Sequence, residues 1–440
     1  MSKTVNMGVK AMKKKLFFIC LTVFVAVFAA IGVQASEYRS EISVGLRYGP
    51  SSGDSATFSS SGGINVYDAS GGTLLYSAQS GEELYVQMGS TGFAAMGKFD
   101  GSGIPKISLQ PQNGSFIICD GKPYRGYIYL ERRENGELLL INYVGTDDYV
   151  SSVLGKEMSY SWPIEALKAQ AVCARNFVLC RGNVHKSYGF DVCATTHCQV
   201  YGGVESEHEN TRRAVNETKG VLAKYNGQVV ALYFFATSGG KTESVENVWG
   251  SPYGYLKAVD DSYENADKAS KYKWSVKLTR EEIEQKLIAA GVNIGFLKKI
   301  TTDKVTDSGR VTQMTFHGSE GTHSVKLEKC RTILGLYSQK FVVMPDGGIS
   351  IVTTSGNANA PIYALSSKGV GSIAGYSALS EGGVLKSINA VSDGAPSYSI
   401  NGGGYGHGVG MSQWGARGMA ENGFTYDQIL RHYFTDIELG

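Results

Sequence analysis

The sequence has little net charge and few charged residues, which narrows the classes of function. Its formal net charge at pH 7 is +2, and Asp, Glu, Lys and Arg make up 19% of the 440 residues. A chain with so small a net charge has no strong overall electrostatic potential that would attract nucleic acid or an anionic membrane surface. A phosphate-binding loop is also missing from the Gly-rich closing stretch, because no Gly-Lys-Ser or Gly-Lys-Thr follows there. We therefore expect neither a nucleic-acid partner nor a nucleotide-phosphate site.

Glycine and tyrosine, by contrast, are plentiful. The chain has 56 Gly and 26 Tyr, a composition typical of a protein rich in strands and loops and unlike that of a helical bundle. Its length is sufficient for a large core and for roughly two or three domains. The many uncharged polar and aromatic residues also suit a surface that handles carbohydrate.

The N-terminus predicts export. Lys13, Lys14 and Lys15 precede an apolar run from Leu16 to Val33, and Gln34-Ala35-Ser36 follows it. A basic segment, an apolar run and small residues at a cleavage point are typical of a secretory signal. The run of about 18 residues is also close to the length of a minimal membrane span, so an uncleaved anchor fits equally. We expect residues 1–35 to be a signal peptide or anchor, and the rest to be secreted or membrane-anchored, facing the extracytoplasmic cell-wall space.

Short alternating segments after residue 36 predict antiparallel strands. The clearest hairpin pairs Arg125–Glu131 with Glu137–Tyr143 across an Asn-Gly turn, and Val221–Tyr225 pairs with Gln228–Phe235 in the same way. The sequence thus predicts an α+β fold with antiparallel sheets. We place a β-rich region at 36–123 and a second domain at 124–440. Within that domain, a Gly/Ser-rich insertion at about 346–400 is either an inserted hairpin or a flexible excursion.

Two helices are predicted between Thr146 and Arg181, broken at Ser161-Trp162-Pro163. Pro163 suits the first helical position, and apolar residues then recur at three- and four-residue steps. Lys168 and Arg175 are seven residues apart, so they stack on one helix face roughly 10 Å apart. Without further information, the simplest interpretation is that both are solvated charges on the solvent-exposed side of a helix. Glu157, near the end of the first helix, is likewise by default a surface glutamate.

Two long motifs resemble the signatures of a known family. The first is Glu157-Met158 followed by Trp162-Pro163-Ile164-Glu165-Ala166-Leu167-Lys168-Ala169-Gln170-Ala171-Val172 and Arg175; the second is GYGHGVGMSQWGARGMAENG, followed by Ile429-Leu430-Arg431-His432-Tyr433-Phe434. Together they resemble the stage II sporulation protein D family, over roughly Tyr124 to Ile437. Tyr201-Gly202-Gly203, Ser238-Gly239-Gly240 and Trp249-Gly250 lie between them in the expected order.

The resemblance implies a peptidoglycan lytic transglycosylase that cuts glycan strands already stripped of stem peptides, in sporulation or cell-wall remodelling. In such an enzyme Glu157 would be the general acid and base, in a helical segment lining a glycan-binding groove. The family also includes proteins described as amidase enhancers. A non-catalytic, glycan-binding activator of a cell-wall amidase is therefore the alternative. The implied partners are peptidoglycan glycan strands, a cell-wall amidase and a membrane anchor protein.

The resemblance also assigns further residues to the groove. It places Lys168 and Arg175 beside Glu157, tuning it or binding the lactyl carboxylate of N-acetylmuramic acid, and it places Tyr201 and Ser238 against the sugar. In the closing motif, His407 either contacts substrate or supports a residue that does. Gln413 and Trp414 either contact substrate or hold the loop to the core.

A second cluster, His185, Cys193, His197 and Cys198, has the ligand types of tetrahedral zinc. Its spacing is not that of a standard zinc finger, although the segment resembles one that holds zinc in some members of the family. The alternatives are a Cys193–Cys198 disulfide, which export permits, and free buried thiols. Four protein ligands would make the zinc structural. A secreted metallohydrolase centred on this cluster is a third possible function.

Overall fold

The computed structural model describes residues 39–181, 184–346 and 394–440, together with six short strands between 351 and 387. In chain order, the strands up to the cysteine–histidine cluster are β1 (Glu41–Arg47), β2 (Ser55–Ser59), β3 (Ile64–Asp68), β4 (Leu74–Ala78), β5 (Leu84–Met88), β6 (Phe93–Ala95), β7 (Phe99–Gly101), β8 (Lys106–Pro111), β9 (Ile117–Cys119), β10 (Lys122–Tyr124), β11 (Tyr127–Arg132), β12 (Leu138–Gly145) and β13 (Val192–Cys193). They form two sheets, ordered β13-β1-β12-β11-β8-β3-β4 and β10-β9-β2-β5-β6-β7.

The seven-stranded sheet crosses the boundary predicted at 123/124. β8 pairs antiparallel with β11, which in turn pairs with β12 in the predicted hairpin. Strands from both sides of that position therefore share one sheet. All of its pairs are antiparallel except the short parallel pair between β1 and β13. Antiparallel sheets in a mixed α/β fold are thus confirmed.

Eight helices are described, and the two that were predicted around Pro163 are present. They are α1 (Thr146–Glu157), α2 (Ile164–Arg181), α3 (Glu209–Glu217), α4 (Glu246–Trp249), α5 (Arg280–Ala289), α6 (Lys329–Thr332), α7 (Gln413–Glu421) and α8 (Tyr426–Tyr433). Thirteen of the 18 residues of α2 are buried. Since burial extends around the helix, α2 is a central helix and not one with a solvated cationic face.

The remaining strands build smaller sheets, two of which surround a second core. They are β14 (Ala223–Tyr225), β15 (Gln228–Val229), β16 (Phe234–Phe235), β17 (Trp274–Thr279), β18 (Leu297–Val305), β19 (Val311–Gly318), β20 (Thr322–Lys326), β21 (Phe341–Pro345), β22 (Ile351–Thr353), β23 (Gly356–Ala358), β24 (Tyr363–Ser366), β25 (Gly369–Ser372), β26 (Ser377–Leu379), β27 (Leu385–Ser387), β28 (Ser397–Gly402), β29 (Met411–Ser412) and β30 (Glu438–Leu439). The sheets β17-β28-β21 and β18-β19-β20, with α5 and α6, enclose a core separate from that of α1 and α2.

The predicted insertion contains three antiparallel hairpins, β22–β23, β24–β25 and β26–β27. The predicted signal peptide or anchor, residues 1–35, lies outside the described residues. Among the residues that are described, no helix has the length and apolar character needed to span a membrane.

Candidate functional site

Glu157 ends α1, the helix that leaves the seven-stranded sheet directly after β12. The helix stops because Met158 is extended, with φ −131° and ψ 147°, and Met158 itself is buried. Glu157 is half-buried, and burial raises the pKa of its carboxyl. A raised pKa keeps a carboxylic acid protonated closer to neutral pH, which suits a general acid.

Gln413 reaches the Glu157 carboxyl from the closing motif. β29 pairs in parallel with β16, and the Oγ of Ser412 accepts a hydrogen bond from the N–H of Gly415 at 3.1 Å, which caps the helix that Gln413 begins. The neighbouring amide of Gln413 lowers the pKa of Glu157, partly offsetting burial. Its Nε2 is buried and makes no hydrogen bond of ordinary length to any described residue. The amide is therefore near the carboxyl but still able to donate to it or to a ligand.

A tryptophan lies close in sequence to each member of the Glu157–Gln413 pair: Trp162 follows Glu157, and Trp414 follows Gln413. The rings of Trp162 and Trp414 lie 4.9 Å apart, and the Arg417 guanidinium lies over both, at 5.2 and 4.9 Å from their centroids. Both tryptophans are half-buried. The first and the second signature motifs thus meet at an aromatic contact as well as at Glu157 and Gln413.

The cysteine–histidine cluster predicted from the sequence comes together in space. The candidate ligand atoms of His185, Cys193, His197 and Cys198 all lie within 4.8 Å of one another. The Sγ of Cys198 is 3.4 Å from His185 Nε2 and 3.5 Å from His197 Nδ1, and Cys193 Sγ is 3.8 Å from His197 Nδ1. Tetrahedral zinc with ordinary bond lengths puts its ligand atoms about 3.6 Å apart. Both cysteines are free thiols here, so the donor set and spacing fit zinc.

The loop after the cluster packs against α1. Gln199 Oε1 accepts a hydrogen bond from the Tyr149 hydroxyl at 3.2 Å, and the Tyr201 ring stacks on Tyr149 at 5.3 Å. The N–H of Gly202 donates to Ser152 Oγ at 3.1 Å. Because Tyr149 and Ser152 belong to α1, the cluster braces the helix that ends in Glu157.

Tyr201 is placed differently from the expectation that it contacts sugar. Its side chain is only 6% exposed, and its hydroxyl donates to Asn142 Oδ1 at 2.7 Å. Its contacts with α1 and β12 fix the loop to the core. In this conformation it offers a glycan almost no surface.

Arg175 is also buried, contrary to the expectation that it faces a groove. Its side chain has no exposed surface, and its Nη2 lies 2.9 Å from Asp147 Oδ1. Further hydrogen bonds run to the carbonyls of Val215 and Val221. Because α2 is surrounded by other elements, the guanidinium ties α1 to the chain around α3 and cannot reach a substrate carboxylate.

Lys168 is less buried than Arg175, with 15% of its side chain exposed, but it too is paired. Its Nζ lies 2.8 Å from Glu165 Oε1 and 2.5 Å from Glu217 Oε2. The structure thus places it between two carboxylates on α2 and α3. No described contact joins Lys168 to Glu157.

Replacing Arg175 with Met should lower stability and leave substrate affinity unchanged. The change removes the ion pair with Asp147 and the hydrogen bonds to the carbonyls of Val215 and Val221, and breaking a buried ion pair costs about 3 kcal/mol. Denaturant unfolding of the full chain measures this. The matched control is Arg213→Met, since Arg213 is exposed in α3 and its surface ion pair with Glu217 should contribute little to stability. Unchanged stability with weakened glycan binding would instead place Arg175 at the substrate.

Ser238 and His407 lie in two loops that meet. Ser238 has no exposed surface; its Oγ accepts from the N–H of Gly240 at 2.9 Å, and its carbonyl accepts from Arg310. His407 packs among Phe235, Trp249 and Tyr233, and burial lowers its pKa to about 4. Its Nδ1 accepts the N–H of Val409 at 3.1 Å, so this neutral imidazole carries its proton on Nε2. Ser238 is therefore a loop-fixing residue, and His407 is held by backbone hydrogen bonds to Val409 and Phe234.

Sequence reasoning missed the buried carboxyl and guanidinium groups behind these loops. Glu264 accepts hydrogen bonds from the N–H groups of Ser238 and Gly239 and from the hydroxyl of Ser412. Burial and the neighbouring Asp261 raise the pKa of Glu264. Arg310, from the second core, is fully buried and donates to Ser238. Isolated acidic and basic residues in irregular segments gave no periodicity that could have identified them.

Gln170 was also missed, although it lies within the first motif. It is fully buried in α2, and neither side-chain polar atom has a hydrogen-bond partner among the described residues. A glutamine between two alanines in an apolar helix gives no local signal beyond burial. Its unpaired amide became visible only in three dimensions.

Two family profiles match separate parts of this chain. A family profile described as Stage II sporulation protein matches residues 134–225, which contain α1, α2 and the cysteine–histidine cluster. A second profile, described as a domain of unknown function, matches residues 255–375, which include much of the second core.

Three relatives are similar over most of this chain. An uncharacterized protein of Brachyspira hyodysenteriae is 31% identical over 307 residues, which cover 69% of each chain. The amidase enhancer of Bacillus subtilis is 29% identical over 359 residues, which cover 76% of this chain but 46% of that protein. Stage II sporulation protein D of Bacillus subtilis is 28% identical over 314 residues, 68% of this chain and 75% of that one.

Proposed function

Because this chain belongs to the stage II sporulation protein D family, we propose that its cell-wall role is that of a lytic transglycosylase acting on peptide-free peptidoglycan strands outside the cytoplasm. The observation that supports this most directly is Glu157: a half-buried glutamate with a raised pKa at a helix end, beside the amide of Gln413, which partly lowers that pKa. Glu157 is the general acid and then the general base.

The reaction needs one carboxyl group used twice. Protonated Glu157 gives its proton to the glycosidic oxygen that leaves C1 of N-acetylmuramic acid, and the C1–O bond breaks. The resulting carboxylate takes the proton of the same sugar's C6 hydroxyl, whose oxygen bonds to C1. The product has a 1,6-anhydro ring, no water is consumed, and Glu157 is protonated again. Hydrolytic glycosidases usually need a second carboxylate, which this route does not.

The surroundings of Glu157 supply the other requirements. Burial favours the protonated carboxyl before the first transfer, and the Gln413 amide can donate to the carboxylate that forms after it. Trp162 and Trp414 offer apolar ring faces against which a sugar can stack.

Zinc at His185, Cys193, His197 and Cys198 has a structural role in this proposal. All four positions of a tetrahedral ion would be occupied by protein ligands, which leaves none for water or substrate. Its contribution is to hold the loop that braces α1 through Gln199 and Tyr201.

The direct test is to incubate the purified full chain with peptide-free glycan strands and to analyse the products by mass spectrometry. Strands ending in 1,6-anhydro-N-acetylmuramic acid support the proposal. Ends carrying added water would instead indicate a hydrolase, and intact strands would contradict cleavage.

The second candidate is a glycan-binding activator of a cell-wall amidase. It is favoured by the 29% identity to the protein named amidase enhancer. It predicts intact strands in the test above, together with faster release of stem peptides when the chain is added to a purified cell-wall amidase on intact peptidoglycan. The same two assays therefore separate the candidates.

Replacing Gln413 with Leu should shift the pH profile of cleavage to higher pH. The Gln413 amide lowers the pKa of Glu157, so its loss raises that pKa further. Because the general acid must be protonated, activity falls as pH rises through that pKa, and the alkaline limb of kcat/KM should move upward. Gln285→Leu, at an exposed position of α5, is the matched control. A uniform loss of activity with an unmoved limb would mean that Gln413 only supports the loop.

A further inference from the structure

A second site lies on the open face of the seven-stranded sheet. A shallow pocket of about 510 Å³ is lined there by Tyr67, Ser108, Gln110, Tyr127, Tyr129 and Tyr143, among others. This volume is in the range of pockets that bind small ligands. None of the lining residues is among those described around Glu157, so the site is separate from the candidate active site.

The alternation of the strands explains how the tyrosines reach this face. In β11, Ile128 and Leu130 are fully buried, whereas Tyr127 and Tyr129 between and beside them are half-exposed. Residues two apart on a strand point to the same side, so both tyrosines project away from the core. Tyr143 is opposite Tyr127 in the hairpin.

Strand register extends the tyrosines into a row. Tyr129 is opposite Ser108 in β8, and Ser108 is opposite Tyr67 in β3. The rings of Tyr127 and Tyr143 are parallel, with centroids 5.0 Å apart, while Tyr129 meets Tyr143 edge-on at 5.8 Å. Spread over β3, β11 and β12, the rings form a platform with polar groups between them.

The chemistry of the platform suits an uncharged ligand with both apolar and hydroxyl faces. Asp68 is the one charged residue among the nine that line the pocket. Burial raises the pKa of the Tyr127, Tyr129 and Tyr143 hydroxyls, so these remain neutral hydrogen-bonding groups. A pyranose ring has this character, since its C–H face stacks on an aromatic ring while its hydroxyls bond to polar side chains.

Cross-strand pairing alone accounts for only part of the arrangement. Aromatic pairs on facing strands do stabilise sheets, and the Tyr127–Tyr143 contact is of that kind. However, within the described part of the chain the hydroxyls of Tyr129 and Tyr143 make no hydrogen bond, while those of Tyr67 and Tyr127 do. The rings of Tyr129 and Tyr143 are half-exposed, and their hydroxyls make no hydrogen bond to any described residue. They can therefore recognise a ligand, and the stability of the sheet does not require this arrangement.

We propose that this tyrosine platform, the face formed by Tyr67, Tyr127, Tyr129 and Tyr143, binds a glycan chain. The inference goes beyond the proposed cleavage at Glu157, and it holds whether or not that residue is catalytic. A platform separate from the site of cleavage lets the protein stay on a strand while its other site works.

Calorimetric titration of the full chain tests the platform. The Glu157→Gln variant is used so that the probe, a hexamer of β-1,4-linked N-acetylglucosamine, is not cleaved. We expect two binding events for this protein and one after Tyr129→Ala with Tyr143→Ala. Each single alanine variant should weaken the platform event about tenfold, or about 1.4 kcal/mol, whereas Tyr129→Phe should retain most of it.

Tyr85→Ala is the matched control, because Tyr85 is 54% exposed on β5 of the other sheet. It should leave both events unchanged. If the candidate active site does not bind glycan, one event should be seen and the platform variants should remove it, so the two proposals fail separately. Unchanged binding in the double variant, with its fold confirmed by thermal melting, overturns the platform. So does a dimer in sedimentation that the variants dissociate without affecting glycan binding.

Discussion

The Glu157→Gln variant should lose roughly 10² to 10⁴-fold in the rate at which 1,6-anhydro ends form, the usual contribution of a positioned general acid. Glutamine keeps the shape and polarity of the side chain but can neither give nor take the proton. The effect should fall on kcat, with binding of intact strands retained, because the amide still fills the space beside Gln413. Product formation at saturating glycan, followed by mass spectrometry, measures it.

The same variant should be more stable than the wild type at neutral pH, which separates lost chemistry from lost fold. Burial raises the pKa of Glu157 in the folded protein above its unfolded value. Between those two pKa values the folded state holds a proton that the unfolded state has released, so the wild type loses stability as pH rises through that window. Glutamine does not titrate, and its stability should not change there. Denaturant unfolding on both sides of the window tests the sign.

Glu134→Gln is the control for both measurements, since Glu134 is exposed in the turn between β11 and β12 and makes no ion pair with another described residue. Wild-type activity is expected for it. If Glu157→Gln forms anhydro ends at the wild-type rate, Glu157 is not the acid. If the wild type forms none but accelerates an amidase, the activator function replaces the proposed one.

Local structure was largely predictable from the sequence. The hairpin over Asn226 and Gly227 forms as expected, with φ values of 51° and 75° that match the left-handed turn this pair favours. The capping box at Thr279 also forms: Thr279 accepts from the N–H of Glu282, whose carboxylate accepts from the N–H of Thr279. Such features depend on neighbours within a few residues, and these are visible in the sequence.

The solvent-exposed faces of the helices could not be predicted in the same way. The periodicity of α2 suggested one apolar stripe, yet Arg175 lies in the interior because Asp147, 28 residues earlier, compensates its charge. Ser238 is likewise buried by Glu264 and Arg310, from segments 26 and 72 residues away. A long-range partner decides whether a polar side chain is buried, and a single sequence does not identify that partner.

The candidate site was predictable only in part for the same reason. Periodicity gave the helices, and the resemblance to a family selected Glu157 among 40 acidic residues. The contact between Glu157 and Gln413 joins positions at opposite ends of the domain. The domain boundary at 123/124 was set by motif coverage, whereas the sheet continues across it through β8 and β11.

Removal of zinc should have the second large effect. We expect the purified chain to hold about one zinc ion, and Cys198→Ser to lose it together with about 4 kcal/mol of stability, the linkage expected where free zinc exceeds its dissociation constant roughly a thousandfold. Metal analysis and unfolding of the full chain measure the two quantities. The matched control is Cys180→Ser, because Cys180 is an exposed thiol outside the cluster.

Loss of zinc should also affect Glu157, through contacts between the loop and α1 that single substitutions can test. Without the metal, the loop from Cys198 to Tyr201 loses its anchor, and the Gln199 and Tyr201 contacts with α1 loosen. Cleavage should then fall in Cys198→Ser and recover in part at lower temperature, where the loop is better held. A catalytic metal would behave differently, because activity would vanish on chelation at every temperature while the melting temperature stayed constant. A Cys193–Cys198 disulfide predicts a third result: no zinc, no alkylation of Cys193 or Cys198 without reductant, and stability lost on reduction.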